Sequence, residues 1–374
     1  MQLDVFTVDV SYKTTWIWFR LVDGNGHEGV GEATLNNRVD ELLAALPAAT
    51  DAFSASDHGI AEKLRAVRQS ASGVVGRAIS SGLEQAWLDI EGKRTERPIH
   101  VLFGGAYRSS VACYANINRG TLSRQPAEFA ERAAAAIADG YTAVKLAPFD
   151  DVTPDDEDNN RRSALVEAGV ERIAAVTKQI GGLGRTQVDC HSRLKRVEAQ
   201  DLLERLAGLG VSWLEEPIRE TETALATIGA LKSLAQSRGV TLAGAEQAAG
   251  LADFLPFCHA RCYDVIMPDI ILAGGPAEVV RIGYLAAAVN QAVSLHNPSG
   301  PVMDMHSAHV AAAVPELHSL ERQYRESPLY DDLVTRVHKF EGGAYHLSDS
   351  PGLGLTVDWT SPEVNQRLSI MLKI

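Results

Sequence analysis

Cysteine is scarce in this chain: four residues, Cys113, Cys190, Cys258 and Cys262, are scattered over 374 positions. That is too few for a disulfide framework. Cys258 and Cys262 flank His259, but no second cluster supplies the remaining ligands of a zinc site. Basic charge is also short. With 35 Lys and Arg against 48 Asp and Glu, the formal net charge is −13. This argues against a broad electrostatic footprint for nucleic acid. An anionic ligand would need local cations, from side chains or a metal, to offset the overall field. The chain lacks an apolar run of the roughly 18 residues that a membrane span requires. Its opening, MQLDVFTVDV, lacks the basic-then-apolar pattern of a secretory signal. These absences predict a cytoplasmic location, with neither nucleic acid nor membrane as a partner. What is present, 45% hydrophobic and 22% charged residues, suits a globular protein with a large core. The length suggests two or three domains, or one barrel with an appendage.

The first part reads as a small α+β unit over residues 1–110. Trp16, Trp18, Arg20 and Val22 alternate with Ile17, Phe19 and Leu21, the period of a strand. Asp23-Gly24-Asn25-Gly26 is a turn signal, and a second strand is expected from Glu28 to Ala33. Ile79, Leu83, Trp87 and Ile90 recur at helical spacing, with Gly92 placed to end that helix. Gly24, Gly26 and Gly29 form a GxGxxG pattern. It lies in a hairpin rather than between strand and helix, which argues against a dinucleotide site.

From residue 111 the texture changes to strand–helix repeats. Strands are expected at Ser109–Ala115, Thr142–Leu146, Thr186–Val188, Val211–Leu214, Thr241–Ala245, Val265–Met267 and Ala292–Leu295. A helix is expected from Pro126 to Asp139, stopped by Gly140. Such repeats imply right-handed βαβ crossovers. Seven or eight of them fit a closed (β/α)8-type, TIM-like barrel over 111–324, with the α+β unit as its cap. The last segment, 325–374, returns to turns and short strands and is expected to pack back on the cap. The aspartate-rich run Asp150 to Asp158 lacks calcium-loop spacing and reads as a solvated loop.

The chemistry sits at strand ends. Asp189 follows Thr186-Gln187-Val188. Glu215-Glu216 follow Trp213-Leu214. Glu246 follows Leu242-Ala243-Gly244-Ala245, and Asp269 follows Met267-Pro268. Their separations of 26, 31 and 23 positions are each about one βα repeat. In a parallel barrel the C-terminal strand ends share one face, so these acids converge. Crowded carboxylates repel one another, and a hard divalent cation with oxygen ligands resolves this. Glu216 is the weaker ligand of its pair, because neighbouring strand side chains point oppositely. Lys145, His191 and His296 occupy other strand ends. His191 stands two residues after Asp189, which puts both on one side of an extended segment.

These segments together resemble the mandelate racemase subgroup of the enolase superfamily. The likeness is carried by Gly140-Tyr141-Thr142-Ala143-Val144-Lys145, Val188-Asp189, Leu214-Glu215-Glu216-Pro217, Gly244-Ala245-Glu246, Pro268-Asp269 with Gly274-Gly275, His296 and Ser319-Leu320-Glu321. In the cap it is carried by Gly29-Val30-Gly31-Glu32-Ala33 and Trp87 to Lys93. The ordered set is specific where no single tripeptide is. The resemblance implies that Asp189, Glu215 and Glu246 hold one Mg2+, that Asp269 and His296 form a dyad, and that Glu321 hydrogen-bonds a substrate carboxylate. Racemases of this subgroup carry a second lysine two residues after the first. Here that position is Ala147, which cannot move a proton. The Asp-x-His of Asp189 and His191 looks instead like the sugar-acid dehydratases of the galactonate and mannonate type, in which the histidine is the general acid.

The expected reaction is loss of water from an aldonic or aldaric acid. His296 takes the α-proton, Lys145 and the cation stabilise the resulting charge, and His191 protonates the departing hydroxyl. A 2-keto-3-deoxy acid results. An epimerase or cycloisomerase using Lys145 with His296, and a catalytically silent binding barrel, remain as alternatives. By the same resemblance the chain is a homo-oligomer, and specificity comes from cap loops near Val10–Trp16 and after Asn36. Tyr12, Lys13, Thr14 and Trp16 are the cap candidates, with Arg193 and Asn297 as further contacts to substrate hydroxyls.

Overall fold

A computed structural model describes residues 1–71, 73–155, 158–182 and 184–373. The cap opens with β1 (Gln2–Asp9), β2 (Thr15–Val22) and β3 (Glu28–Glu32), all antiparallel. The β2–β3 turn is closed by the Asp23 carboxylate, which accepts from the amides of Asn25 and His27, both at 2.8 Å. Against the sheet lies the helix Gly73–Arg94. It approaches so closely that a Cβ on Gly29 or Gly31 would meet a helix carbonyl oxygen at 2.0 Å. The glycines of this segment therefore serve backbone contact, not a phosphate. Gly92 does not end the helix, contrary to expectation. It lies within it, where a Cβ would meet the Gly352 Cα at 2.6 Å, so close packing is its purpose.

Eight parallel strands form the second layer: β4 (Ser110–Asn116), β5 (Val144–Leu146), β6 (Thr186–Asp189), β7 (Trp213–Glu215), β8 (Thr241–Gly244), β9 (Val265–Ile266), β10 (Ala292–Leu295) and β11 (Leu317–Gln323). Each pairs with its successor, and β11 pairs with β4 to close the barrel. The chain is thus an α/β protein, a TIM-like barrel with an α+β cap. The eighth strand carries Ser319-Leu320-Glu321, for which no strand was expected. Apart from Leu317 and Leu320 its positions are polar on both faces, so hydrophobic periodicity does not mark it.

Helices follow the first seven barrel strands. Beyond β11 the described residues form the short helix Leu329–Asp332 and then a series of strands. These are β12 (Val334–Arg336), β13 (Lys339–Glu341), β14 (Ala344–His346) and β15 (Leu355–Val357). β14 runs antiparallel to the start of β4, and β12 pairs with β15. Finally β16 (Asn365–Met371) joins the cap sheet beside β1, with Gln2 opposite Met371. Among the described residues no helix is long and apolar enough to cross a membrane.

Buried polar groups fasten cap to barrel. Glu32, fully buried at the end of β3, accepts from the amides of Gly300 (2.7 Å) and Met303 (2.9 Å) at the start of the helix Pro301–Ala313. Those donors belong to a helix N-terminus, where unsatisfied amides favour a carboxylate. Burial dominates even so and lifts the Glu32 carboxyl to about 7, against the pull of Met303, Thr34 and Gly300. Ser81 donates to the Ile270 carbonyl at 2.7 Å, and Glu84 accepts from the Ala277 amide at 3.1 Å. The cap is therefore locked onto the barrel by the loops that follow its strands.

The same interface buries histidines that carry no charge. His306 donates from Nε2 to the Val30 carbonyl at 2.8 Å, while its Nδ1 makes no hydrogen bond among the described residues. Burial depresses its pKa from 6.5 to about 3. Between those values the unfolded chain binds a proton that the folded chain cannot. This contribution is complete above pH 6.5 and drains away as pH falls toward 3, the loss by pH 5 being about 2 kcal/mol. His306→Gln, whose amide can keep the bond to Val30, should lose less thermal stability between pH 7 and pH 5 than the parent protein. Parallel melting curves across that range test this, and identical pH slopes for the two proteins would refute it.

Candidate active site

The barrel topology gathers the strand-end residues. Asp189 ends β6 and Glu215 ends β7, opposite each other in register, and Glu246 lies two residues beyond β8. One carboxylate oxygen from each of the three lies within 4.8 Å of the others, and all three side chains are buried. The backbone around them is strained. His191, Ser192, Glu216 and Ala245, all at strand ends, have φ of 44°, 57°, 38° and 70°. Side chains other than glycine seldom adopt this region, and such outliers concentrate where surrounding structure imposes a function.

This strain changes two expectations. Glu216 does not simply point away from Glu215. Having left extended geometry, it accepts from the Glu246 amide at 3.1 Å and from the Ser192 hydroxyl at 3.4 Å, so it braces the third carboxylate from behind. Nor is His191 on an extended segment, yet it still meets Asp189, with Nε2 at 3.0 Å from Oδ2.

Lys145, on β5, is buried in the centre. Its Nζ lies 2.6 Å from Glu215, 3.4 Å from Glu321 and 3.8 Å from Asp189. Burial works against its charge, but Glu215 and Glu321 outweigh burial and hold its pKa well above the lysine range. Burial likewise works to raise Glu321, and Lys145 and His296 overcome it, so this carboxyl sits below its ordinary value. Glu321 also accepts from the Asn297 amide at 3.1 Å and from the Asn116 side chain. The side-chain NH2 of Asn297 is engaged, while its side-chain oxygen accepts no hydrogen bond among the described residues. Its side-chain amide donates to Asp304 (2.8 Å) and to the Glu321 carbonyl (2.9 Å), so it holds Glu321 in place and does not line the cavity.

Asp269 and His296 do meet, with Oδ2 to Nδ1 at 2.9 Å, and the far nitrogen of His296 lies 3.4 Å from Glu246. Asp269 is fixed in turn by the amides of Ile271 (2.6 Å) and Leu272 (3.0 Å). Burial lowers the His296 pKa, but Glu246, Asp269 and Glu321 around it raise it to about 9.

Several observations favour a cation among the three carboxylates. Glu246 Oε2 is buried and, among the described residues, accepts no hydrogen bond. Burial, with Asp189, Glu246 and Glu321 adding to it, pushes the Glu215 carboxyl well above its normal range despite Lys145. The site is thus short of positive charge, and an all-oxygen donor set suits a hard divalent ion. A dication held by these carboxylates would offset the strongest influence raising His296 and leave that imidazole free to accept a proton.

Asp189, His191, Glu246, Asp269, His296 and Glu321 open onto a cavity of about 680 Å³, a size that suits a small-molecule ligand. Lys13, Thr34, Leu35 and Asn36 of the cap line it together with Asn118, Arg119, Arg193 and Gln247 of the barrel. Of the other cap candidates, Tyr12 points to solvent. Thr14 is buried, donating to Glu326 at 2.5 Å. Trp16 packs on Trp18 at 5.4 Å, a core role.

The aspartate-rich run is largely exposed, as a solvated loop is expected to be, yet several of its acids have partners. Asp150 meets His191 at 2.6 Å, Asp151 pairs with Arg172 at 2.5 Å, and Asp158 caps the helix Asn159–Ile180. Asp156 and Glu157 lie outside the described residues. The sequence reading missed Asp150 and Asn116. For Asn116 a signal existed in the strand-end alternation Asn116-Ile117-Asn118, whereas nothing local singles out Asp150 among its acidic neighbours.

Fold and site together agree with what the sequence matches. Residues 128–361 fit the family described as enolase C-terminal domain-like, and the chain belongs to that family. Curated relatives include D-xylonate dehydratase of Haloferax volcanii, 28% identical over 97% of this chain and 88% of the relative. D-gluconate dehydratase of Thermoproteus tenax is 26% identical over 94% and 69%. D-galactonate dehydratase of Ralstonia pickettii is 25% identical over 92% and 89%. Among solved structures, a mandelate racemase/muconate lactonizing enzyme from Jannaschia sp. CCS1 superposes with a TM-score of 0.80 at 24% identity, covering 96% of this chain and 95% of the other. A member of the enolase superfamily from Salmonella Typhimurium gives 0.81 at 20% identity, covering 99% of both chains. The two solved structures establish a shared fold.

If the three carboxylates bind Mg2+, the metal should raise the melting temperature of chelator-treated protein. At a hundredfold excess over Kd the gain is about 2.7 kcal/mol, or a few degrees for a chain of this size. Glu246→Gln should abolish that rise. A variant that responds to Mg2+ like the parent would remove Glu246 from the ligand set.

Proposed function

We propose that this chain dehydrates a sugar acid of the aldonic or aldaric class to a 2-keto-3-deoxy acid. The observation that carries this reading is the placement of two histidines at opposite members of the carboxylate group, His191 against Asp189 and His296 against Glu246. Elimination of water needs a base for the α-proton and an acid for the leaving hydroxyl, and two separately held imidazoles supply both. The names of the three curated relatives given above, each a sugar-acid dehydratase, support the same class.

Asp189, Glu215 and Glu246 would hold one divalent cation, Mg2+ by the oxygen-only donor set. When bound it supplies Lewis-acid neutralisation of the charge that develops on the substrate carboxylate. The residues of the chain do the rest. His296, oriented through Nδ1 by Asp269, accepts the α-proton at Nε2. Lys145, buried and held charged, would stabilise the carboxylate oxygens as negative charge moves onto them. Glu321 forms an ion pair with Lys145 and, through the Asn297 backbone, fixes the loop bearing His296. His191 donates its proton to the β-hydroxyl, which leaves as water with the C–O electron pair. Ala147 provides no second base opposite His296, which separates this arrangement from a two-base racemase of the lysine type. The cavity wall contributed by Lys13 and Asn36 lies on the cap, so the cap must be docked for the substrate to be enclosed.

Two variants separate the steps in D2O. His296→Asn should abolish both α-proton exchange and dehydration, each by roughly 10²–10⁴-fold. His191→Asn should retain exchange while losing dehydration by a similar factor. Exchange is read by NMR of the recovered substrate, and keto acid by its semicarbazone. Full dehydration by the His191 variant would reject its role as acid. An epimer or lactone as product, with no semicarbazone, would instead establish an epimerase or cycloisomerase.

A further inference from the structure

We infer that Asp150 is a positioning residue for His191, forming a second carboxylate–imidazole pair that matches Asp269–His296 across the site. The functional consequence rests on the dehydratase reading above, whereas the pairing stands on the geometry alone. Asp150 Oδ1 lies 2.6 Å from His191 Nδ1, and His191 Nε2 lies 3.0 Å from Asp189 Oδ2. In the other pair Asp269 Oδ2 lies 2.9 Å from His296 Nδ1, and Nε2 lies 3.4 Å from Glu246 Oε2. In both, an aspartate takes Nδ1 and leaves Nε2 facing the three-carboxylate group. An imidazole whose Nδ1–H is held by a carboxylate keeps that proton, so Nε2 becomes the nitrogen that exchanges protons with a substrate.

Asp150 is itself braced, as an orienting group must be. Its Oδ2 accepts from the Asn118 side chain at 3.2 Å and faces Arg124 at 3.3 Å. Arg124 also donates to the Asn118 side-chain oxygen and to the Ala147 carbonyl, and it lies over the Phe129 ring. Asn118 donates its amide to the Asn116 side chain at 2.9 Å, and Asn116 donates to Glu321. A continuous hydrogen-bonded chain therefore joins the acid side of the site to Glu321, through the ends of β4, β5 and β6. Ala147, the position that lacks the second lysine, contributes its carbonyl to this support.

In the proposed step the proton on His191 Nε2 passes to the β-hydroxyl and water departs, while Nδ1–H stays bonded to Asp150. Asp150→Asn reverses the preference at Nδ1 without changing size. In the Mg2+-loaded protein with 15N-labelled histidine, the substitution should move the His191 ring resonances, assigned through His191→Asn, and leave those of His296 in place. The variant should also retain α-proton exchange while dehydration falls by about 10–100-fold. Asn118→Ala, which loosens Asp150 but keeps its charge, should show a smaller loss of the same kind. Unchanged His191 resonances in Asp150→Asn would overturn the pairing, and equal loss of exchange and dehydration would overturn the positioning role. The resonance measurement decides the pairing whether or not a sugar acid is turned over, so its outcome is separate from that of the functional reading.

Discussion

Three buried carboxylates that cannot all be ionised unaided are the constraint around which this structure is arranged. Asp189, Glu215 and Glu246 are brought together by the registry of three adjacent strands. Burial removes the water that would otherwise screen them. Lys145 answers part of the charge from the centre, and His191 and His296 answer part from either side. What remains is consistent with a divalent cation. The buried Glu246 oxygen that accepts no hydrogen bond among the described residues, and the Glu215 carboxyl pushed up by burial and neighbouring acids, are two signs of the same deficit.

That deficit also explains why the surroundings are so heavily tied down. An imidazole beside an anionic cluster would swing to maximise its own ion pairs. The Asp269–His296 and Asp150–His191 contacts remove that freedom at Nδ1 and leave Nε2 directed inward. Glu216 braces Glu246 through its amide, and Asn297 braces Glu321 through backbone and side chain. Each brace comes from a different strand end, so the site is only as well formed as the closed barrel. The left-handed backbone at His191, Ser192, Glu216 and Ala245 is the conformational cost of turning these side chains into one small volume.

The cap completes the enclosure by a different physical means. Its attachment relies on buried hydrogen bonds to the first amides of barrel helices and loops, as at Glu32 and Glu84, in addition to apolar packing. The glycines of β3 permit the long cap helix to approach within backbone contact, which places Thr34, Leu35 and Asn36 over the cavity. Fold stability and access to the cavity are therefore coupled through one interface.

The sequence by itself determined the repeating strand–helix order, the strand ends at Asp189, Glu215, Glu246 and Asp269, and the candidacy of Lys145, His191 and His296. Hydrophobic periodicity and chain spacing are local properties, and a parallel barrel converts spacing into a shared face. It also showed that a second lysine is missing at Ala147. Tertiary structure alone decided the partners. Asp150 lies 41 positions from His191 and amid other acids, so no local pattern marks it. The polar strand β11 has no apolar alternation to reveal it, and Trp16 and Thr14 were told from cavity residues only by what packs against them. Glu216 turned inward because its backbone is strained, which residue type does not encode. These are consequences of contacts between distant segments, and a one-dimensional pattern carries no information about which distant segment arrives.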